Sequence, residues 1–423
     1  MTSRGLGGVA LPAGGLAAEL PAPPSISLAD VREAAARIKG AVLRTPMVPA
    51  PVIGRAAGCE AWLKLDNLQA TGAFKERGAA NRLALLTTRE KSTGVIAMSA
   101  GNHAQAVARH AQLLGIRATI VMPRFTPATK VVRTESWGAE VVLHGETLAE
   151  AAAHAHALAL RDGLTFIHPY DDPGVMAGQG TMAIEMLEDV PGLDTLVFPV
   201  GGGGLLAGCA AAALELKPSL TVYGVEVEGY PAMAQRLAGQ PVAVGGPTIA
   251  EGIAVRDVGE RPYALLKHLG IEVLVVPERA VEQAVALLAE GAKVVAEGAG
   301  AAGVAALLTH PARFAGKRVG TPVCGGNIDA RALSNVLLRQ LLRDGRILRL
   351  TFDIPDRPGV LADISKRISD AGGNVIEVKH QQLFGAPTVQ STELELMIEV
   401  RDAAQGNAII AAMEAGDYVV RRG

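Results

Sequence analysis

Aromatic residues are scarce in this chain of 423 residues, and cysteine is scarcer still. Only 3% of the residues are aromatic although 49% are hydrophobic, and glycine occurs 49 times. Such a composition is expected where helices pack closely on a sheet rather than span a bilayer. The three cysteines, Cys59, Cys209 and Cys324, lie far apart without CxxC spacing. They indicate neither a disulfide framework nor a zinc site, and they favour a reducing cytoplasm.

An excess of one charge sign is also missing. Lys and Arg number 40 against 42 Asp and Glu, so the formal net charge is -2. This balance provides no basic field for nucleic acid or for an acidic membrane surface. The sequence also lacks an uninterrupted transmembrane run, a Ser-His-Asp pattern and an HExxH pattern. A small-molecule partner is therefore favoured, with no nucleic acid, no membrane and no metal site.

The chain divides into segments of different composition. Residues 1–24 are rich in Gly, Ala and Pro and are predicted to be a disordered tail, and residues 25–335 are predicted to form a first, catalytic domain. Ser27 is predicted to cap a helix over residues 28–38. Short apolar runs then alternate with helical stretches, which predicts an α/β fold with two open, mostly parallel sheets and an inner small subdomain over about residues 66–165. The predicted strands are 94–98, 118–122, 140–143, 195–199, 222–227, 272–276 and 318–323, and the predicted helices include 104–114, 147–161, 205–216 and 280–295.

The pattern changes after a predicted linker at residues 336–346. Strands are predicted at 349–354, 374–383, 393–400 and 417–421, and helices at 358–372 and 402–414. The order βαββαβ predicts a separate ferredoxin-like domain over residues 347–423.

One lysine stands in the middle of a glycine-bearing motif, residues 71–79 with the sequence TGAFKERGA. Lys75 lies between Gly72 and Gly78 and follows Phe74, and partial desolvation there would disfavour its charged form and free the amine as a nucleophile. A solvated surface lysine is equally consistent with the adjacent Glu76. The motif alone leaves both interpretations open.

Four consecutive glycines, Gly201, Gly202, Gly203 and Gly204, follow an apolar strand and open a helix. Backbone amides and the positive helix end can hold a phosphate there, and a Cβ atom would keep the phosphate away. The local pattern also fits a dinucleotide-binding fingerprint, with Glu226 at the end of the next strand as the ribose-binding acid. Both ligands remain open from this motif.

Other strand ends carry small and polar residues. Ser99, Asn102 and His103 stand in the sequence SAGNH, where they could hold a carboxylate or simply cap a helix. Cys324 ends another strand beside two glycines and could equally be a small buried apolar residue. Glu297 either lies near the cleft or caps a helix. Because strand ends of one parallel sheet share an edge, together they predict one cleft and a phosphate-bearing ligand.

Taken in order, these motifs resemble the threonine dehydratase (threonine ammonia-lyase) family. The resemblance rests on residues 68–79, 99–105, 178–181, 201–204 and 324–327 and covers about residues 26–330. It implies a pyridoxal 5'-phosphate (PLP) enzyme of the tryptophan synthase β fold, which is PLP fold type II. Residues 347–422 resemble an ACT domain, with the sequence DRPGVL at its first strand-to-helix turn.

The resemblance implies a role for each motif. Lys75 would form the Schiff base with the cofactor, and Phe74 would lie against it. Asn102 would bond the ring hydroxyl, Gly201 to Gly204 would hold the phosphate, and Cys324 would face the pyridine nitrogen. Ser99, Asn102 and His103 would bind the substrate carboxylate. Under this interpretation Glu226 is a strand-end residue that binds no ribose.

Departures from the family pattern at four positions narrow the expected reaction. Ala73 and Cys324 stand where the family often has serine, and a thiol, as a weak donor, would leave the pyridine nitrogen mostly unprotonated. That state suits prompt loss of a β-hydroxyl. Ala100 stands where serine racemases have their second acid-base serine, so racemisation is disfavoured. Ala232 stands where a second carboxylate of a racemase-like metal site is expected.

The expected activity is conversion of L-threonine, and more weakly L-serine, to 2-oxobutanoate or pyruvate and ammonia, in isoleucine biosynthesis or amino-acid catabolism. The alternatives are a 3-hydroxyaspartate ammonia-lyase, a β-replacement enzyme, an NAD-dependent oxidoreductase or a non-catalytic amino-acid sensor. The ACT domain is expected either to bind an effector such as isoleucine or valine near Gly359 and Asn374, or only to oligomerise. A cytoplasmic homodimer or homotetramer is expected.

Overall fold

A computed structural model describes residues 26–381 and 391–422, so the predicted tail at residues 1–24 lies outside the described residues. The strands before residue 330 are β1 (Met47–Pro49), β2 (Glu60–Lys64), β3 (Val95–Met98), β4 (Ala118–Met122), β5 (Glu140–Leu143), β6 (Thr165–Phe166), β7 (Thr195–Pro199), β8 (Thr221–Val227), β9 (Glu272–Val276) and β10 (Arg318–Pro322). The helices are α1 (Leu28–Ile38), α2 (Pro51–Ala57), α3 (Lys75–Ala84), α4 (Thr88–Thr93), α5 (Asn102–Leu113), α6 (Ala128–Glu135), α7 (Leu148–Asp162), α8 (Pro173–Asp189), α9 (Gly204–Leu216), α10 (Ala232–Leu237), α11 (Glu260–His268), α12 (Glu278–Leu287), α13 (Gly298–Thr309), α14 (Pro311–Phe314) and α15 (Ala330–Arg343).

These strands form two sheets. The larger sheet has the order β1-β2-β10-β7-β8-β9, in which β1 pairs antiparallel with β2 and the other neighbours are parallel. The smaller sheet has the order β5-β4-β3-β6 with parallel neighbours. The predicted α/β fold with two mostly parallel sheets is confirmed. Strands β1, β2 and β6 were not predicted, because runs this short carry little periodic signal.

One predicted helix ends earlier than its apolar pattern. The stretch 280–295 forms α12 only to Leu287, continues as a π-helical turn at Leu288–Ala292, and stops at Lys293 with φ of 60°. A left-handed conformation at a non-glycine residue terminates the helix, since the following amide can no longer continue the helical ladder. The chain then turns toward Glu297.

Helix α1 shows how the sequence sets an element boundary. The Ser27 hydroxyl accepts from the Asp30 amide, and the Asp30 carboxylate accepts from the Ser27 amide at 2.8 Å, which together form a capping box. Leu28, Val31 and Ile38 then lie on the buried face. Burial of each such side chain contributes about 1.5–3 kcal/mol, so this face fixes α1 on the first domain.

Helices α8 and α9 approach each other closely through glycine. A Cβ atom on Gly208 would lie 2.0 Å from the carbonyl oxygen of Met176, and one on Gly180 would lie 2.6 Å from the carbonyl oxygen of Gly208. Larger side chains would separate the two backbones. The contact accounts physically for a core built from small residues and few aromatic ones.

The C-terminal domain is a single antiparallel sheet with two helices. Its elements are β11 (Ile347–Pro355), α16 (Val360–Asp370), β12 (Asn374–Gln381), β13 (Ser391–Glu399), α17 (Ala403–Glu414) and β14 (Val420–Arg422). The sheet order is β12-β13-β11-β14, and Phe352, Ile364, Leu396 and Ile409 lie in its core. The predicted βαββαβ order is confirmed. The last two residues of the predicted strand 374–383 lie outside the described residues.

Helix α15 connects the two domains. It begins within the first domain, where Val336 is buried, and Arg343 near its end forms an ion pair with Glu282 of α12. Gly345, with φ of +67°, then turns the chain into β11. Helical structure therefore occupies most of the predicted linker. Within residues 26–381 and 391–422, the helices are too short or too polar to cross a bilayer.

Candidate active site

The glycine-rich motifs meet at the carboxyl ends of three parallel strands. Ser99 follows β3, Gly201 follows Val200 after β7, and Cys324 follows Val323 after β10. In open α/β sheets this edge holds the ligand, because the loops and helix amino ends converge there. The two sheets thus contribute facing sides of one cleft.

Lys75 is the first residue of α3, and its side chain is partly buried. Its amine Nζ donates a hydrogen bond to the carbonyl oxygen of Pro169 at 2.8 Å and lies 5.3 Å from the centre of the Phe74 ring. The loss of solvent around the amine lowers the pKa of Lys75 to about 8, against smaller opposing effects of Cys324 and Glu297. The neutral amine is therefore far more accessible near physiological pH than in a solvated lysine.

Backbone contacts join the lysine motif to the strand end that carries Cys324. The Phe74 amide donates to the carbonyl oxygen of Cys324 at 2.9 Å, and the Gly326 amide donates to the carbonyl oxygen of Gly72 at 2.9 Å. Ala73 and Gly325 form an isolated antiparallel bridge between these bonds. Two motifs about 250 residues apart in the sequence thus form one short ribbon.

A buried ion cluster anchors the first turn of α3. The Arg77 guanidinium donates two hydrogen bonds to Asp66, at 2.7 and 2.9 Å, and two to Glu185, at 2.7 and 2.8 Å. Burial alone would raise the pKa of Asp66, but the Arg77 charge and hydrogen bonds hold that pKa below its ordinary value. This fork-like geometry fixes the first turn of α3, and with it the backbone of Lys75.

The tetraglycine lies beneath an aromatic ring. A Cβ atom on Gly202 would lie 2.2 Å from Cγ of Tyr170, and Gly203 has φ of +93°. The Tyr170 hydroxyl donates to the carbonyl oxygen of Asp257 at 2.7 Å. The first amides of α9, which begins at Gly204, have no acceptor within their own helix and suit an anion.

A chain of side-chain hydrogen bonds crosses the cleft. Asn327 Nδ2 donates both to the carbonyl oxygen of Thr71 at 2.7 Å and to Asn102 Oδ1 at 2.8 Å. Asn102 Nδ2 donates to Glu297 Oε1 at 2.7 Å. Burial raises the pKa of Glu297 to about 7, while the bond from Asn102 lowers it. Glu297 thus lies in the cleft and is also the residue that precedes α13.

The residues predicted to bind a carboxylate lie at the start of α5. Ser99 Oγ accepts from the Gly101 amide at 3.2 Å. The ring of His103 is buried, and its Nε2 donates to the carbonyl oxygen of Ile167 at 2.9 Å. Burial and the nearby Lys75 charge lower the pKa of His103 to about 3, so the ring is neutral. Its Nδ1 has no partner among the described residues.

The structure defines the environments of two further predicted residues, Cys324 and Glu226. Cys324 Sγ lies 3.6 Å from the carbonyl oxygen of Ala299, and burial raises the pKa of this thiol well above its ordinary value, so it stays protonated. The Glu226 carboxylate accepts from the amides of Met233 and Ala234 at 2.8 and 2.9 Å. Both oxygens of Glu226 thus accept from the backbone, and the residue is buried, so its carboxylate is not presented to a ribose. The described residues contain no group of three or more His, Cys, Asp or Glu placed to hold a metal ion.

Comparison with known proteins defines the family. The model of the family described as pyridoxal-phosphate-dependent enzymes matches residues 38–325. The chain belongs to the pyridoxal-phosphate-dependent enzyme family. An ACT domain model matches residues 346–421.

Several members of this pyridoxal-phosphate-dependent family align along most of their length. An L-threonine ammonia-lyase from Thermotoga maritima is 40% identical over 398 residues, which cover 94% of this chain and 99% of that protein. An L-threonine ammonia-lyase from Geobacter sulfurreducens is 37% identical over 395 residues, covering 92% and 98%. The structure of the processed form of threonine deaminase isoform 2 from Solanum lycopersicum matches with a TM-score of 0.71 at 31% identity, and the match covers 77% of this chain and 92% of that one.

The residues present fit pyridoxal phosphate. A partly buried lysine with a lowered pKa stands at one side of the cleft, and a glycine cradle that a single Cβ atom would fill stands at the other. Sequence reasoning missed Pro169 and Tyr170, which link the two, and it assigned no role to Asn327. The turn-rich sequence HPYDD before α8 was the available signal, since loop residues at strand ends often carry function.

The ACT domain has a cavity of its own. It has a volume of about 330 Å³ and is lined by residues that include Ile354, Arg357, Gly359, Leu361 and His380. Gly359 has φ of +95° and precedes α16. Asn374, the other predicted effector residue, does not line this cavity; its side chain donates to Glu399 at 3.3 Å.

Proposed function

We propose that the protein is an L-threonine ammonia-lyase that also acts more slowly on L-serine. Water is lost from the substrate and hydrolysis then releases ammonia and a 2-oxo acid, which is 2-oxobutanoate from threonine. The observation that carries the proposal is the Lys75 amine, whose pKa is lowered to about 8, in the cleft that the tetraglycine also lines. Relatives named L-threonine ammonia-lyase at 37–40% identity support the choice of reaction.

Bound pyridoxal phosphate supplies an electron-withdrawing ring that acidifies the α-hydrogen of an amino acid joined to it. In this chain Gly201, Gly202, Gly203 and Gly204 would hold its phosphate, and Phe74 would lie beside its ring. Asn102 would donate to the ring hydroxyl, and the Cys324 thiol would face the pyridine nitrogen.

Lys75 acts as the base. Its neutral amine accepts the α-proton at Nζ, and the hydrogen bond to the Pro169 carbonyl oxygen directs the amine lone pair away from that carbonyl. Ser99 Oγ and the amides of Asn102 and His103 at the amino end of α5 bind the substrate carboxylate. The His103 ring contributes by holding Ile167, two residues before Pro169, in place.

Ala100 determines the stereochemical outcome. It lies in the turn between β3 and α5, and its methyl group carries no proton. A racemase needs an acid on the ring face opposite the lysine, because a proton must be returned from that side. Elimination needs proton removal from one face only, so Lys75 suffices for it.

The test measures 2-oxo acid formed when the purified, cofactor-loaded protein is mixed with L-threonine alone. We expect turnover without an added thiol or sulfide, which a β-replacement enzyme would require. Lys75→Ala should lose both turnover and the visible absorbance band of the Schiff base. Absence of product from protein that shows the band would refute the activity, and a higher kcat/KM for 3-hydroxyaspartate than for threonine would refute the substrate.

For the ACT domain we infer an amino-acid effector with an aliphatic side chain, such as isoleucine or valine. Ile354, Val360 and Leu361 supply apolar surface to the cavity, and Gly359 exposes backbone amides that suit a carboxylate. Calorimetry on the full chain should show binding of isoleucine or valine that Leu361→Glu abolishes and Leu338→Glu, on α15, preserves. No heat with either amino acid would favour a purely oligomerising domain.

The assembly and compartment follow the same proposal. We infer a homodimer or homotetramer, in which ACT domains pair, and a cytoplasmic location consistent with three free thiols. Sedimentation at micromolar concentration tests the assembly, and a monomer would contradict it.

A further inference from the structure

We infer that Glu297 is a positioning residue that fixes which end of the Asn102 amide faces the cofactor. The inference rests on the proposed function in one respect, the placement of Asn102 at the ring hydroxyl. It adds a residue that touches neither substrate nor cofactor in the roles assigned above. Its basis is the chain of hydrogen bonds from Thr71 through Asn327 and Asn102 to Glu297.

The Thr71 end of the chain has a fixed polarity. A backbone carbonyl oxygen only accepts, so the Asn327 amide must direct its nitrogen toward Thr71. The same nitrogen, with its second hydrogen, donates to Asn102 Oδ1 at 2.8 Å. If Asn327 were reversed, its oxygen would meet the Thr71 carbonyl oxygen with no hydrogen between them. Asn102 therefore presents Oδ1 to Asn327.

The Glu297 end enforces the same polarity. Glu297 Oε1 accepts from Asn102 Nδ2 at 2.7 Å. Burial raises the pKa of Glu297 to about 7. Of the nearby charges, Lys130 lowers this pKa and Glu251 raises it. A carboxyl group keeps an accepting oxygen whether it is ionised or protonated, so the bond persists in both states.

One hydrogen of Asn102 Nδ2 then remains. Within residues 26–381 and 391–422 it has no hydrogen-bond acceptor, and the nitrogen lies close to Gly325, the residue after Cys324. A donor at this place favours the ionised form of a ring hydroxyl, whereas an amide oxygen there would favour the protonated form. The polarity that Asn327 and Glu297 impose together thus sets the electronic state of the bound cofactor, and Glu297 supplies the acceptor for Asn102 Nδ2.

The test compares Glu297→Leu and Glu297→Gln in cofactor-loaded full-length protein, with Glu290→Gln as a matched control. Glu290 is about half exposed and pairs with Arg346 at 3.5 Å. The readouts are the visible spectrum of the bound cofactor, which reports the ring hydroxyl, and the cofactor Kd. Neither readout requires turnover, so a failed threonine assay leaves this test intact.

We expect Glu297→Leu to shift the visible band and to raise the cofactor Kd about tenfold, the effect of losing one hydrogen bond to a charged group. Glu297→Gln keeps an accepting oxygen and should retain the wild-type band, as should the control. A Gln variant that behaves like the Leu variant would overturn the inference, because charge rather than amide orientation would then be responsible.

A second comparison separates the loss of amide orientation from poor folding of the Glu297→Leu variant. In an Asn102→Ala background, where no amide remains to be oriented, Glu297→Gln and Glu297→Leu should both leave the cofactor Kd unchanged within about twofold. A tenfold loss from Glu297→Leu in that background, or an unshifted band in the single Leu variant, would show that Glu297 acts independently of Asn102 and would reject the inference.

Discussion

The Lys75 amine and the Pro169 carbonyl oxygen lie 2.8 Å apart, and no carboxylate forms an ion pair with this lysine among the described residues. A carbonyl dipole orients an amine without stabilising its positive charge as strongly as a carboxylate would. The lysine is thus held in place while its pKa stays lowered to about 8. Placement and basicity are controlled by different contacts.

In cofactor-free protein this arrangement makes stability depend on pH. Below about pH 8 the lysine is charged in both the folded and the unfolded state, and burial of the charge costs stability. Between pH 8 and the ordinary lysine pKa of 10.5 only the unfolded state retains the proton, so the folded state becomes relatively more stable as pH rises. We expect cofactor-free Lys75→Met to exceed wild type by about 2–3 kcal/mol in free energy of unfolding at pH 7.

Urea titrations of the two cofactor-free proteins at pH 7 and at pH 10 check this expectation. The difference in the free energy of unfolding should shrink toward pH 10. A difference that stays constant with pH would assign the effect to methionine packing instead of to the lysine charge.

The Arg77 cluster should dominate the stability of the first domain. Arg77→Ala leaves the buried Asp66 without its guanidinium partner, while Glu185 keeps its ion pair with Lys64 at 2.6 Å. Loss of one partner from a buried ion pair costs about 3–5 kcal/mol. Thermal unfolding should move to a clearly lower temperature. Arg161→Ala removes an exposed pair with Asp162 and should leave the melting temperature unchanged. Equal effects of the two variants would contradict the assigned role of Arg77.

Gly202→Ala should weaken cofactor binding. Its Cβ atom would lie 2.2 Å from Cγ of the Tyr170 ring, so the ring or the glycine loop must move. We expect the cofactor Kd, measured by fluorescence titration, to rise at least about tenfold, because a misplaced amide loses about 1.4 kcal/mol or more. The double variant with Tyr170→Ala should recover part of the loss. Gly406→Ala on α17, where the nearest atom is 3.7 Å away, should have no effect on Kd.

The ACT domain should unfold separately when its core is weakened. Phe352→Ala removes a fully buried ring at a cost of about 3–5 kcal/mol. The chain has two tryptophans, Trp62 and Trp137, and both lie in the first domain. Circular dichroism should therefore show a new early transition while tryptophan fluorescence keeps its midpoint. Val419→Ala, at an exposed position, is the control, and a shifted fluorescence midpoint would show that the domains unfold together.

The sequence predicted the elements whose signals are local. Short apolar runs located the strands β4, β5, β7 and β9 at the bounds that the structure has. Capping residues located the start of α1 at Leu28, and glycines located the strand ends of the cleft. These signals arise from neighbours in the chain, so a single sequence contains them.

The contacts between motifs could not be predicted from the sequence. Nothing near residue 170 indicates that Tyr170 covers Gly202, and nothing near Asn327 indicates that it bonds Thr71 and Asn102. Such contacts depend on how two sheets face each other, which periodicity does not encode. For the same reason the sequence leaves Glu297 equally a cap or a cleft residue, and its 2.7 Å hydrogen bond from Asn102 places it in the cleft.

Helix α15 connects the strand end that carries Asn327 to the ACT sheet. Only Ile328 and Asp329 separate Asn327 from its first residue, and the three residues 344–346 separate its last residue from β11. Between Asn327, which bonds Asn102, and the ACT sheet, only these five residues therefore lie outside a helix or strand. A fragment cut at residue 335 would lose Val336 from the core of the first domain and the ion pair of Arg343 with Glu282, so a truncation should keep all of α15.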